Sequence, residues 1–132
     1  MIKLSKEKAM LLHQLMTEAT GGSVGLRNEG LLDSALEGAF AGFGDLEFYP
    51  TKKEKGAKLG YSLISNYAFV DGNKRVGVYI MLVFLEMNGI RLQCTDDELV
   101  DIGLSVASGR MRYEELLQWV LDHKTYSGGR RD

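Results

Sequence analysis

The sequence predicts an all-α protein, a compact single-domain bundle of about six helices. Three observations predict it: apolar residues recur at helical spacing along most of the chain, two segments open with capping boxes, and one long charge-free segment suits a central helix. At 132 residues the chain suits one domain, which we expect to cover residues 1–126. Residues 127–132 have no apolar anchor, and we expect them to form a disordered tail.

Composition narrows the classes of function. Apolar residues make up 45% and charged residues 26%, as is typical of a soluble globular protein. The net charge of −2 supplies no general attraction for a nucleic-acid backbone, so we expect no direct nucleic-acid binding. The most apolar run, Val76–Leu85, is too short to span a bilayer, and Cys94, the only cysteine, suits a reducing compartment. We therefore predict a cytoplasmic protein that binds no membrane.

Capping and spacing predict the first two helices. Ser5 suits the N-cap of a helix that continues to about Ala19 and ends at Gly21. Its apolar face is expected to carry Leu12, Leu15, Met16 and Ala19. After a glycine-rich loop over residues 22–30, a second helix shows an apolar stripe: Leu31, Leu32, Ala35, Leu36, Ala39 and Phe40.

Helical spacing stops over Gly42–Pro50, where glycines mix with aromatic and acidic residues. This mixture predicts a surface loop or a short hairpin. Thr51 and Glu54 then form a capping box, because each side chain can satisfy the other residue's backbone N–H. A third helix is expected to run from there to about Tyr67 and to bury Leu59, Leu63 and Ile64.

The charge-free segment Val76–Leu85 allows two interpretations. Its β-branched and aromatic residues favour a buried strand. Its start at a helix-start site and its end at Asn88–Gly89, a typical helix stop, favour a helix. We prefer the helix, which would lie at the centre of the bundle because it is apolar on all sides.

The last part of the chain predicts two more helices. Ile90–Cys94 is a short extended link, and Thr95 with Glu98 forms a second capping box. The helix that follows is expected to place these residues on one face: Leu99, Ile102, Gly103 and Val106. Ser108–Gly109 ends it, and a final helix is expected to bury Tyr113, Leu116, Leu117, Val120 and Leu121.

The residues that carry most of the functional information are Asp71, Gly72, Asn73, Lys74 and Arg75. They lie where a helix is about to begin, and free backbone N–H groups at a helix start bind anions. A flexible glycine lets the loop wrap a phosphate, the two cations add charge-assisted contacts, and the aspartate can hold a divalent metal. These are the parts of a nucleotide-phosphate site.

A plainer interpretation remains open for the same stretch. An Asp-Gly-Asn sequence is also an ordinary turn with an N-cap, and the two cations after it can simply be solvated. Phe69, just before the turn, is expected to be a core anchor that fixes the loop. Walker-type and kinase-type glycine loops are both absent from the sequence.

The stretch Phe69–Arg75 resembles the core of the Fic/Doc family motif, HxFx[DE]GNxR. With Lys74 at the variable position, the stretch is similar to the form of the motif in the death-on-curing (Doc) toxin branch. Other segments resemble that branch too: Gly25–Arg27, Gly30–Leu36, Leu46–Pro50 and Phe84–Gly89. The likeness extends from about Lys3 to Leu121. It implies a small helical bundle with the motif loop between two central helices.

The resemblance also implies roles for the motif residues. Asp71 would bind the magnesium that bridges the phosphates of ATP, and the backbone around Gly72 and Asn73 would cradle the anion. Lys74 and Arg75 would neutralise phosphate charge during transfer. Most Fic proteins have a small residue at the lysine position and transfer AMP to a protein hydroxyl. The Doc-like branch transfers the terminal phosphate instead, is associated with elongation factor Tu as its substrate, and is controlled by a small antitoxin.

Tyr67 departs from the motif, because it stands where the family has its catalytic histidine. An imidazole titrates near ~6.5 and suits a general base at neutral pH, whereas a phenol titrates near ~10 and does not. One explanation is an inactivated toxin, since histidine and tyrosine codons differ by one base. The other is a natural protein that binds nucleotide or a partner without turnover. His13 and His123 are expected to be partly exposed helical residues that do not replace the base.

Three further expectations concern the surface. The cluster of Lys52, Lys53, Lys55 and Lys58 is interpreted as a solvated helix face, with a docking edge for an acidic partner as the alternative. Arg27 and Glu29 suit a loop ion pair, and the resemblance makes Arg27 a candidate for stabilising the site. We expect an apolar groove beside the motif, where the resemblance implies that an antitoxin helix binds. The resemblance also implies a flap over the target segment at residues 42–50, with a plain connector as the alternative.

Overall fold

A computed structural model describes residues 1–126 and confirms the all-α prediction. Within those residues it contains six helices: α1 (Lys6–Thr20), α2 (Glu29–Gly38), α3 (Lys52–Asn66), α4 (Asn73–Met87), α5 (Asp96–Ala107) and α6 (Tyr113–His123). Two short antiparallel sheets accompany them, β1 (Gly42–Phe43) with β2 (Leu46–Glu47) and β3 (Ile90–Leu92) with β4 (Lys124–Tyr126). The tail predicted at 127–132 lies outside the described residues.

Helix α4 occupies the centre of the bundle. It packs against α3 and α5 and also meets α1 and β3. Its inward residues are fully buried: Val76, Ile80, Met81, Phe84 and Leu85. The choice of a helix for the charge-free segment is therefore confirmed. The residues just before this helix are attached to the most deeply packed element of the bundle.

Glycines bring α3 and α4 unusually close together. A Cβ atom on Gly77 would lie 2.5 Å from Cγ1 of Ile64, and one on Gly56 would lie 2.6 Å from Cδ2 of Leu85. A Cβ on Gly60 would lie 2.9 Å from the sulfur of Met81. At Gly77 the backbones themselves meet, with the Ile64 nitrogen 2.9 Å from the Cβ position, whereas at Gly56 and Gly60 the side chains of Leu85 and Met81 pack directly on the α3 backbone. These contacts hold α3 and α4 at a fixed spacing.

Both predicted capping boxes are present. Thr51 Oγ1 accepts from the N–H of Glu54 at 3.1 Å, and Glu54 accepts from the N–H of Thr51 at 3.1 Å. Thr95 and Glu98 do the same at 3.1 and 2.8 Å. Side chains therefore satisfy early N–H groups at the starts of both α3 and α5.

The buried face of α1 differs from the prediction. Leu15 is 49% exposed and Ala19 is exposed, whereas His13 and Thr17 are buried beside Leu12. Both buried side chains make hydrogen bonds, since Thr17 Oγ1 donates to the carbonyl of His13 at 2.8 Å and His13 Nε2 meets the carbonyl of Asp71 at 2.7 Å. Leu15 and Ala19 were wrongly placed in the core, and His13 was wrongly expected to be partly exposed.

The segment over residues 42–50 is a hairpin, and a buried lysine anchors it. Lys55, on α3, is only 1% exposed and donates to Glu47 Oε1 at 2.8 Å, to the carbonyl of Tyr49 at 2.6 Å and to that of Ala39 at 3.4 Å. The solvated-face interpretation is therefore wrong for Lys55. Its ammonium group has exchanged water for three acceptors that tie the hairpin, named here the flap hairpin (Gly42–Glu47), to α3.

Candidate functional site

The candidate site centres on the motif loop, residues 67–72, which joins α3 to α4. Tyr67 opens it in the left-handed conformation, with φ of 56°, and its side chain is 51% exposed. Arg27 holds this turn, because its guanidinium donates to the carbonyl of Tyr67 at 2.6 Å and to that of Asn66 at 3.2 Å. Arg27 therefore satisfies the carbonyl end of α3. The expected pair with Glu29 is wrong, since Glu29 pairs with Lys6 at 2.5 Å.

Hydrogen bonds close the motif loop from its inner side. Asn73 Oδ1 accepts from the N–H of Phe69 at 3.0 Å, and Asn73 Nδ2 donates to the carbonyl of the same residue at 3.0 Å. The N–H of Val70 donates to the carbonyl of Gly25 at 3.0 Å. Phe69 itself is only 2% exposed. The Asn73 side chain is thus engaged inside the loop, which leaves its backbone N–H as its group for a ligand.

Asp71 lies at the outer turn of the loop with its carboxylate at the surface. Oδ1 accepts from the N–H of Gly72 at 2.8 Å, and Oδ2 accepts from the N–H of Ser23 at 3.3 Å. A Cβ atom on Gly22 would come within 2.8 Å of Oδ2. A glycine at position 22 therefore keeps the approach to this carboxylate open.

On the opposite side of Asp71, its carbonyl meets His13. The Nε2 atom of His13 lies 2.7 Å from that carbonyl oxygen, and the imidazole stacks on Phe69 with ring centroids 4.1 Å apart and planes 10° from parallel. Because a carbonyl can only accept, Nε2 carries the proton. His13, a residue of α1, thus contacts the motif loop in two places, at the buried ring of Phe69 and at the outer turn at Asp71.

Gly72 is the N-cap residue of α4 and adopts the left-handed conformation, with φ of 74°. No side chain of residues 1–126 caps this start, and the N–H of Val76 donates to the carbonyl of Gly72 at 2.9 Å. The N–H groups of the first turn point out of the helix beside the exposed side chains of Lys74 and Arg75. Positive partial charge from the helix and two cations coincide here.

A cleft of about 800 Å³ opens over the loop and continues between α4 and α5. Its polar end is lined by Tyr67, Asp71, Gly72, Asn73, Lys74 and Arg75. Its other end is lined by apolar side chains: Val78, Leu82, Leu99, Val100 and Leu104. The apolar groove expected beside the motif is present, and Val100 and Leu104 are exposed within it.

The structure brings the predicted ligand-binding residues to one end of one cleft, while Phe69 lies in the core beneath them. A carboxylate, two cations and an uncapped helix start together can bind a di- or triphosphate. Within residues 1–126 no three His, Cys, Asp or Glu side chains gather into a metal site. A cation at Asp71 would therefore take its remaining ligands from phosphate oxygens and water, as magnesium commonly does.

Sequence reasoning missed two residues that shape this region. His13 supports the motif loop and Lys55 anchors the flap hairpin, yet both were interpreted as partly exposed or solvated. A signal was present for His13, since it stands between Leu12 and Met16 on the side of α1 that faces the core. No local signal distinguished Lys55 from Lys52, Lys53 and Lys58.

Comparison with known proteins agrees with this geometry. A sequence profile of the Fic/DOC family matches residues 3–85, and the chain belongs to that family. It is also similar to Toxin Doc of Mycolicibacterium smegmatis (strain ATCC 700084 / mc(2)155), with 39% identity over 79 residues. That match covers 60% of this chain and 61% of the toxin's length. None of the helices in the described part of the chain is long and apolar enough to cross a membrane.

Proposed function

We propose that this chain is a Doc-like toxin of a toxin–antitoxin system. Its active form would transfer the terminal phosphate of ATP to a hydroxyl of a translation factor, elongation factor Tu, and so block translation in the cytoplasm. The observation that carries the proposal is the clustering of Asp71, Lys74 and Arg75 around the uncapped start of α4 in one cleft. The family membership and the similarity to Toxin Doc support the same function.

The residues present fit magnesium and a nucleotide. The Asp71 carboxylate is exposed and lies beside Gly22, whose missing side chain leaves room at Oδ2. A single carboxylate with phosphate oxygens and water is a usual magnesium environment. Bound magnesium would supply charge neutralisation between neighbouring phosphate oxygens.

This chain's own residues would then bind and orient the nucleotide. The first-turn N–H groups of α4 face the phosphate oxygens, and Lys74 and Arg75 stabilise the negative charge that develops there. In the transfer, the target hydroxyl oxygen forms a bond to the terminal phosphorus, the bond to the ADP oxygen breaks, and the hydroxyl proton passes to a base. In the active form that base is a histidine at position 67, and in this chain Tyr67 stands in its place.

Two surfaces suit the protein partners. The flap hairpin displays Phe43 at 81% exposure together with exposed Leu46, and it stands clear of the core as a contact for a target segment. The apolar end of the cleft, between α4 and α5, has room for the apolar face of an antitoxin helix. An occupant of that groove would lie next to the phosphate site and hinder its use.

A reversion tests the catalytic proposal. The Tyr67→His variant, mixed with labelled magnesium–ATP and elongation factor Tu or a bacterial lysate, should gain transfer by at least about 100-fold over Tyr67→Phe, the range expected of a general base. Intact-mass analysis of the product separates phosphate from AMP. If the folded variant labels no protein, the kinase proposal is wrong; if the product carries AMP, Fic-type AMP transfer replaces phosphate transfer.

A second candidate is a binding protein without turnover. The observation that favours it is Tyr67 itself, which leaves the cations and the groove in place while removing the usual base. Calorimetry would then find that the unmodified chain binds magnesium–ATP or a cognate antitoxin helix, while Tyr67→His transfers nothing. Growth of cells that express Tyr67→His distinguishes the two candidates, since only an active toxin stops translation.

A further inference from the structure

We propose that His13 is a positioning residue for the candidate phosphate site. Through its hydrogen bond to Asp71 and its stack on Phe69, it holds the motif loop in the form that presents the Asp71 carboxylate and the start of α4 to a nucleotide phosphate. The inference rests on the proposed function, because it assigns a role within that same site.

The side chain of His13 is buried. This imidazole is 1% exposed, so its polar atoms lack solvent as an alternative partner. Its Nε2 atom donates to the Asp71 carbonyl at 2.7 Å across 58 positions of sequence. Losing this donor would leave a part-buried carbonyl without its partner and would release the outer turn of the loop.

The contact with His13 also orients the peptide between Asp71 and Gly72. In a trans peptide the carbonyl and the N–H point to opposite sides. Because the Asp71 carbonyl points inward to His13, the N–H of Gly72 points away from it and meets Oδ1 of Asp71 at 2.8 Å. One inward contact thus fixes the direction of the Gly72 N–H, which the Asp71 carboxylate meets at the N-cap of α4.

Other contacts hold mainly the rest of the loop. Asn73 holds the backbone of Phe69, and Gly25 holds the N–H of Val70. At Asp71 itself, the contacts besides His13 are made by its own carboxylate, to Ser23 and Gly72. A ligand bound to that carboxylate would compete with them, whereas the His13 contact to the carbonyl would remain. His13 therefore keeps the loop in shape when the carboxylate is occupied.

Matched substitutions separate the two contacts. His13→Phe keeps a ring on Phe69 and removes the donor, whereas His13→Gln keeps an amide donor at a similar reach. His13→Asn has the same chemistry as His13→Gln but is one methylene shorter, so its amide falls short of the carbonyl. His123→Phe is the control, because His123 also stacks on an aromatic ring, Trp119 at 4.1 Å, on a helix that does not line the cleft.

The measurements are the dissociation constant for magnesium–ATP by calorimetry and the free energy of unfolding by urea. We expect His13→Phe and His13→Asn to weaken magnesium–ATP binding about tenfold, His13→Gln to stay within about threefold of the unsubstituted chain, and His123→Phe to leave binding unchanged. All affinities are taken without urea and only on variants that circular dichroism shows to be folded, so a loss of stability alone would not change them.

Three results would overturn the inference. If His13→Phe is folded and binds magnesium–ATP as tightly as the unsubstituted chain, the hydrogen-bond donor of His13 does not position the site. If His13→Phe does not fold, equal affinities of His13→Gln and His13→Asn for magnesium–ATP would contradict the role of the donor in the same way. No binding by the unsubstituted chain contradicts the phosphate site itself and the proposed function with it, whereas the first two results leave the proposed function standing.

Discussion

Helices α5 and α4 begin in different ways. At the start of α5, Thr95 and Glu98 exchange hydrogen bonds between side chain and backbone at 3.1 and 2.8 Å. At the start of α4, Gly72 has no side chain to offer, and no side chain of the described residues takes its place. In both helices the N–H of the N-cap residue meets a carboxylate, from Thr95 to Glu98 and from Gly72 to Asp71. Within residues 1–126 a side chain accepts from a first-turn N–H only in α5, whereas the first-turn N–H groups of α4 face a cleft.

This difference indicates that the two starts are stabilised by different means. The α5 start is stabilised locally, by residues three positions apart. The α4 start is stabilised from behind, by Asn73 bonded to Phe69 and by His13 bonded to Asp71. The site end of α4 can therefore leave its N–H groups available, because neighbouring contacts supply the order that a cap would otherwise provide.

The largest effect expected from this comparison is at Asn73. Asn73→Ala removes both bonds to Phe69 and leaves a buried N–H and a buried carbonyl without partners, so the free energy of unfolding should fall by about 2–3 kcal/mol. Urea unfolding followed by circular dichroism measures it. If the free energy of unfolding fell by only about 1 kcal/mol, as on the loss of a single helix cap, the bonds between Asn73 and Phe69 would not be what stabilises the start of α4.

A smaller loss is expected at the capped helix. Thr95→Ala should lower the free energy of unfolding by about 1 kcal/mol, because the Glu98 N–H loses its acceptor. Thr125→Ala is the control, since its hydroxyl bonds the carbonyl of Arg91 outside any helix start. If Thr95→Ala costs as much as Asn73→Ala, the two starts depend equally on a single residue and the contrast fails.

The smallest effect is a pH dependence of the α5 start. The N–H of Thr95, and then the bond from His123, lower the pKa of Glu98 below its ordinary 4.5. The stabilisation is thus fully present above pH 4.5 and is lost as the pH falls through the lowered folded pKa. Urea midpoints at pH 6 and pH 3 should differ more for the unsubstituted chain than for Glu98→Gln.

Asp97→Asn is the matched control for that experiment. It removes another first-turn charge of α5 without changing the bonds of the capping box. We expect this variant to keep the difference between pH 6 and pH 3. Equal differences for the unsubstituted chain and Glu98→Gln would contradict the contribution of the Glu98 carboxylate.

Local signals predicted most of the fold. Ser5, Thr51 and Thr95 all cap helices as expected, because a cap is a contact between residues only three positions apart. Strand β4 was not predicted, since Lys124–Tyr126 becomes a strand only by pairing with β3, more than thirty positions away. Sequence spacing shows the first kind of contact directly and the second kind not at all.

The same distinction applies to the site. Asp71, Lys74 and Arg75 were predicted together because they are neighbours in sequence, and they line one cleft. His13 and Lys55 were not, because the acceptors that make their burial favourable belong to other parts of the chain. A polar residue on a helix face looks solvated until its partner is known.

The close approach of α3 and α4 through Gly56, Gly60 and Gly77 has a consequence for ligand binding. The two helices hold both ends of the motif loop at a fixed spacing, so the loop loses its conformational entropy when the chain folds. A ligand then meets a loop that is already ordered, and little further entropy is lost on binding. An alanine at Gly77, which would clash with Ile64, would force the two helices apart and leave the loop less ordered. Ligand binding would then have to order the loop, so the affinity would fall.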